Sequence, residues 1–181
     1  MKLHATPIPG VHVLELEPLR DERGYFARQW CSDELARGGL TAQIVQINTA
    51  HNPRSGTLRG MHLQRAPHAE VKIVNCTRGA IYDVALDLRR DSPTHCQWFG
   101  IELTADNGRA LYIPEGCAHG ALSLCDDSAF TYLTSHRFER HSAYGVRYDD
   151  PAFAIQWPRP VEIVSAADRG WPDYERELAA P

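Results

Sequence analysis

The sequence predicts an all-β domain, an antiparallel sandwich or jelly roll with a few short helices, and three observations carry that prediction. About ten short runs of apolar, β-branched and aromatic residues recur at even spacing along the chain. Gly, Pro, Asn and Asp punctuate them where hairpins need turns. Helical signals are confined to two brief stretches, too little for alternating βαβ units.

The runs fall at residues 11–16, 24–30, 43–49, 57–64, 70–75, 80–88, 97–103, 109–113, 120–124 and 129–135. Within 80–88, Tyr82, Val84, Leu86 and Leu88 occupy alternate positions, as a strand with one buried face requires. Arg78-Gly79, Asp91-Ser92-Pro93 and Asp106-Asn107-Gly108 supply turns between successive runs. Residues 32–37 read as a helix capped by Ser32 or Asp33 and ended by Gly38-Gly39. After Pro158 the chain is rich in Pro and charge, and is expected to wrap the surface with a short helix near 165–169.

The 181 residues suit one domain, 1–181, with a substantial core. A hydrophobic share of 43% and a charged share of 23% belong to the globular class. The net charge of −4 argues against a nucleic-acid partner, although local basic clusters can still hold a small anion. No apolar run approaches the roughly 20 residues of a membrane helix. The first residues lack the apolar core of a signal peptide, so a cytoplasmic location is expected. The five cysteines, Cys31, Cys76, Cys96, Cys117 and Cys125, show no zinc spacing and read as reduced, small apolar residues. Cys117 and His119 would share a strand face, but packing outweighs a nucleophilic role.

Chemistry concentrates in Leu58-Arg59-Gly60-Met61-His62-Leu63-Gln64, followed by Lys72. A histidine between two cations can take a proton from carbon and hold the charge that results, because imidazole titrates near neutrality. Asp83, on an otherwise apolar strand, is a candidate partner behind the site. Arg89-Arg90-Asp91 reads as a surface turn, and His4, His12, His51, His95, His136 and His141 receive no role.

Around this run stand Asp21-Glu22-Arg23-Gly24-Tyr25-Phe26, Gln46-Ile47-Asn48, Ser92-Pro93-Thr94 and Ile113-Pro114-Glu115-Gly116-Cys117-Ala118-His119-Gly120. Val146-Arg147-Tyr148-Asp149-Asp150-Pro151, Ile155-Gln156-Trp157-Pro158 and Ser165-Ala166-Ala167-Asp168 follow in order. Over residues 8 to 172 this set resembles the dTDP-4-dehydrorhamnose 3,5-epimerase family. The resemblance implies a cupin-type double-stranded β-helix, a homodimer, and no cofactor. It implies epimerisation of a nucleotide-diphosphate-linked 4-keto-6-deoxyhexose at C3, C5 or both. A C4 ketone acidifies the hydrogens on both neighbouring carbons, and inversion needs a donor on the face opposite the base. By resemblance His62 is that base, Asp168 of the Ser-x-x-Asp motif orients it, and Tyr132 is the acid. Lys72, with Arg59, would stabilise the enolate oxygen. Arg59 and His119 would hold diphosphate and sugar, and Gln46, Asn48 and Phe138 would bind substrate. Arg23 would reach the nucleotide from the partner subunit, with Phe26 packed beside it.

Four positions depart from the family pattern. Arg28 stands where a glutamate is usual, Phe138 replaces a stacking tyrosine, Ala143 a glutamate and Ala167 a lysine. These changes spare the proton-transfer positions and point to a retained reaction on an altered nucleotide or sugar. Pro114-Glu115-Gly116 with His119 resembles the second cupin metal motif. The first would need His-x-His and a later glutamate, where the chain has His62-Leu63-Gln64 with His68 and Glu70 at other spacing. A metal-free site is therefore expected. Competing readings are a mono-epimerase or ketoisomerase on a non-dTDP nucleotide sugar, a non-catalytic sugar-nucleotide-binding cupin, and a metal-dependent cupin.

Overall fold

The computed structural model describes residues 1–41 and 43–175. In chain order the first strands are β1 (Lys2–Ala5), β2 (His12–Glu15), β3 (Leu19–Asp21) and β4 (Gly24–Phe26), then helix α1 (Ser32–Arg37). Next come β5 (Gln46–Asn52), β6 (Thr57–Gln64), β7 (Lys72–Arg78), β8 (Ala80–Asp87), β9 (Trp98–Thr104) and β10 (Arg109–Ile113). The chain continues through β11 (Cys117–Ser123), β12 (Ser128–Thr134), β13 (Ala143–Gly145), β14 (Ile163–Val164) and helix α2 (Ala166–Arg169).

These strands form a jelly roll. One sheet runs β1-β2-β10-β7-β12-β5, the other β13-β6-β11-β8-β9, and β14 adds to β6 in parallel. Between them lie Val74, Leu111, Ile113 and Phe130 from one sheet and Ile81, Leu103 and Ala121 from the other. Burying each large apolar side chain here stabilises the fold by about 1.5–3 kcal/mol. β11 is buried along its whole length, because Met61, Val84, Val146 and Phe153 also cover its outer face. Among the described residues no helix is long and apolar enough to cross a membrane.

Several sequence expectations are refined. β11 begins at Cys117, not at residue 120, so His119 belongs to a sheet. β4 stops at Phe26, well short of residue 30. The cap of α1 is Cys31, without a side-chain cap bond, in place of Ser32 or Asp33. The segment after Pro158 does more than wrap the surface: β14 pairs with β6 and brings α2 against it.

Two glycines set the register that matters. Gly60 sits at φ +143°, and a Cβ there would lie 2.5 Å from the Cα of Gly120. Backbone-to-backbone approach of β6 and β11 at this point is possible only without a side chain at residue 60. The ladder shifts between His119 and Ala121, leaving His119 directly opposite His62. We expect Gly60→Ala to lower stability by about 3 kcal/mol, read by thermal denaturation.

Arg89 is no free turn residue. Its guanidinium and amide, with Ser92 and Thr94 hydroxyls at 2.5 and 2.7 Å, all donate to the fully buried Asp87 carboxylate. Burial pushes this carboxyl up, but the donors outweigh it and bring its pKa from 3.8 to about 2. Because the folded pKa is depressed, the stabilisation is complete above about pH 4 and disappears as pH falls toward 2. It amounts to roughly 2 kcal/mol. The melting temperature of wild type should drop steeply across that window, and Asp87→Asn should be less stable at neutral pH and flatter in acid.

Candidate active site

A cavity of about 1040 Å³ opens between the sheets. β6 and β11 form one wall, and β5, β7 and β12 the other. On the first wall His62 Nε2 lies 2.6 Å from Asp168 Oδ1, joining residues 106 positions apart in sequence. Parallel pairing of Ile163 with Thr57 and Val164 with Leu58 delivers α2 to this place. Ser165 caps α2, its Oγ accepting from the Asp168 amide at 3.0 Å. Burial pushes the Asp168 carboxyl up, but hydrogen bonding and charge from His62, with Ser165 and the Gly60 amide, hold it below the usual carboxylate range. An ionised carboxylate only accepts, so Nε2 carries the proton and Nδ1 keeps the free lone pair. The dyad thus presents a base.

Beneath it Lys72 Nζ donates to the His62 carbonyl at 3.0 Å and pairs with Glu70 at 3.1 Å. Both side chains are nearly fully buried. Burial pulls the Lys72 ammonium down, while Glu70 and, more weakly, Asp83 act to keep it charged. Gln64 donates to the second Glu70 oxygen at 3.1 Å. From the opposite sheet comes Tyr132. Among the described residues its hydroxyl has no hydrogen-bond partner, and Phe130 packs beside its ring. Burial and the nearby Glu70 raise its pKa against a smaller opposing effect of Arg59, so it remains a phenol at neutral pH. An unpartnered, protonated phenol is suited to donate.

The other lining groups are held in place. His119 Nε2 lies 2.7 Å from the fully buried Asp83, the partner expected behind the site. Arg59 donates to Asn52 at 2.8 Å and to the His51 carbonyl at 3.2 Å, which aims its guanidinium along the cavity wall. Gln46 donates to Asn48 at 2.9 Å and accepts from the Phe138 amide at 3.3 Å. Phe138 is 62% exposed at the rim. Among the described residues no three His, Cys, Asp or Glu side chains converge as metal ligands.

The structure therefore brings His62, Lys72, Tyr132, Asp168, Gln46, Asn48, Arg59, His119 and Phe138 around one cavity. Arg23 and Phe26 are not in its lining. They sit on the β3–β4 hairpin, Arg23 ion-paired with Asp21 and Phe26 71% exposed. Arg28 also lies elsewhere, 2.7 Å from Glu34 of α1, whereas Ala143 and Ala167 line the cavity. Sequence reasoning missed Glu70 and Trp171. Glu70 was within reach, since residues two apart on a strand-like run share a face with Lys72. Trp171 gave no periodic signal.

The family model described as dTDP-4-dehydrorhamnose 3,5-epimerase matches residues 5–176. The chain belongs to that family. It is 36% identical over 169 residues to the dTDP-4-dehydrorhamnose 3,5-epimerase of Shigella flexneri, covering 93% of each. It is 35% identical over 170 residues to the dTDP-4-dehydrorhamnose 3-epimerase of Streptomyces niveus, covering 93% of this chain and 82% of that one. The crystal structure of the Bacillus anthracis 3,5-epimerase with TDP and PPi bound superposes with a TM-score of 0.92 at 37% identity, covering 96% and 99%. The epimerase fold is accordingly the cupin-type double-stranded β-helix, and the protein is an isomerase.

Lys72 and Glu70 test the electrostatics of this epimerase. Lys72→Met strands a buried carboxylate and should cost about 3–5 kcal/mol in denaturant unfolding. Adding Glu70→Gln should return most of that loss.

Proposed function

We propose that this cavity epimerises a dTDP-linked 4-keto-6-deoxyhexose, with His62 as base, Asp168 as its orienter, Tyr132 as acid and Lys72 on the enolate oxygen. One observation carries the reading: the imidazole dyad and the unpartnered phenol enter the same cavity from different sheets. His62 takes the proton from a carbon next to the ketone, and the electron pair moves onto the C4 oxygen. The Lys72 ammonium offsets that charge. Tyr132 returns a proton to the same carbon from the other face, inverting it. Arg59 and His119 supply cationic and donor groups for the diphosphate, and Phe138, Gln46 and Asn48 a stacking face and amides for the base. Proton removal and return by these side chains call for no cofactor. The dTDP names of the relatives and the TDP in the Bacillus anthracis structure support that nucleotide over others. The five unpaired cysteines fit a reducing compartment and support a cytoplasmic setting for the reaction.

Incubation with dTDP-4-keto-6-deoxyglucose in deuterated water, read by NMR, tests the proposal. Wild type should incorporate deuterium at C3 and C5, whereas exchange at C3 alone would make it a 3-epimerase like the Streptomyces niveus relative. His62→Ala should lose exchange by at least about a hundredfold. Tyr132→Phe should still exchange hydrogen but fail to invert. Full inversion by that variant would remove Tyr132 from its role.

The homodimer belongs to the same proposal. Leu19, Phe26, Ile47 and Tyr25 are 72, 71, 65 and 57% exposed, an apolar surface that a second copy would cover. In that dimer Arg23 and Phe26 complete the partner's site. Mixed dimers of Arg23→Ala and His62→Ala subunits contain one intact site if Arg23 acts across the interface. They should recover activity that neither parent has, and no recovery would return Arg23 to its own subunit or to the surface.

A further inference from the structure

Asp168 is placed by a helix that cannot place itself. The four residues of α2 make barely one turn, and isolated helices shorter than about 12 residues are marginal in water. Upstream the helix hangs from the two-residue strand β14. Downstream, the chain is fastened at Tyr174. The Tyr174 amide donates at 2.6 Å to the Asp150 carboxylate, which is 2% exposed and receives its other bond from Ala152 at 2.8 Å. The Tyr174 ring packs on Phe153 with centroids 5.0 Å apart, and its hydroxyl lies 3.0 Å from His95 Nε2. Between helix and anchor, Trp171 packs against Gly145, the residue in register with His62. A Cβ on Gly145 would come within 2.5 Å of the indole. Tyr144 meets the Trp171 ring edge-on, with centroids 5.3 Å apart. Asp173 adds an ion pair to Arg147 at 2.6 Å.

We propose that Tyr174 is a positioning residue for the reaction. By fastening the segment that follows α2, it fixes the distance between Asp168 and His62. Tyr174 is absent from the cavity lining and touches no reacting atom, so its effect passes through the dyad. Asp150 makes the fastening specific: without the Tyr174 amide in place, one oxygen of a buried carboxylate loses its donor. The aromatic contacts then set how far the strap closes over Gly145. This inference rests on the dyad assigned under Proposed function.

The test is a double-mutant cycle in the full-length chain, with dTDP-4-keto-6-deoxyglucose and deuterium exchange as the readout. Tyr174→Ala is made in wild type and in Asp168→Ala, with substrate in excess and incubations long enough for slow residual exchange to be readable. Displacement of the orienting carboxylate should lower kcat about tenfold or more in the wild-type background. KM should stay within about twofold. In the Asp168→Ala background the same change should do nothing further, since there is no carboxylate left to misplace. Tyr174→Phe keeps the ring on Phe153 and should stay within about threefold of wild type. If Tyr174→Ala does not fold by circular dichroism, Tyr174→Leu takes its place. Equal fractional losses in both backgrounds, or a wild-type kcat in Tyr174→Ala, would overturn the inference. Absence of exchange in wild type would instead strike the reading of the site itself.

Discussion

The close approach of β6 and β11 at Gly60 and Gly120 is the constraint on which the site depends. With 2.5 Å between a hypothetical Cβ on Gly60 and the Cα of Gly120, β6 can carry no side chain there, and a Cβ on Gly120 would run into the Met61 sulfur. That approach, with the register shift beside it, places His62 across from His119. It also leaves the Gly60 amide near Asp168, where it helps lower the carboxyl pKa. One contact between two residues without side chains therefore helps to place His62, Asp168 and His119. β14 follows from the same strand, because β6 offers it the free edge at Thr57 and Leu58.

Charge is handled by pairing. Three acids stand around the cavity, and each has a basic partner: Asp168 with His62, Glu70 with Lys72, Asp83 with His119. Isolated, any of them would be costly to desolvate. Paired, each carboxylate keeps a donor where it is desolvated, and the exposed Arg59 is left to meet an anionic ligand. In the proposed reaction this arrangement has a direct consequence. The enolate charge appears next to an ammonium that is already dry and held, so little reorganisation accompanies proton transfer.

Much of this was legible in the sequence, and the pattern of what was missed is physical. β6, β10 and α1 stand at their predicted bounds because alternation and turn residues mark their ends. β11 was read too short because all seven of its residues are buried, so no polar alternation reveals where it starts. β13 and β14 have three and two residues, below the length at which periodicity can be recognised. His62, Lys72 and Arg59 were visible as a cluster because β6 leads directly into β7. Asp168 and Tyr132 needed the family resemblance, since nothing local links a carboxylate to an imidazole 106 positions away. Arg89 misled for a related reason: its partner Asp87 looked like the end of an apolar strand, and the loop that wraps the carboxylate has no periodic signature.

In the proposed reaction, a single base and a single acid on different walls raise the question of how two carbons can be inverted. C3 and C5 flank the same carbonyl, so their hydrogens are acidified by one enolate oxygen and need only one charge-stabilising group. If that oxygen stays near Lys72 while the ring pivots in its own plane about it, C3 and C5 come in turn before the same base, with the same face of the ring toward it. The phenol then meets either carbon from the other side. The small side chains of Ala143 and Ala167 along the wall leave room for that turn. A narrower wall would hold the ring in one orientation and confine inversion to one carbon. On this argument the number of centres inverted is a property of the cavity's free space beside the dyad, while the dyad itself is indifferent to which carbon it serves.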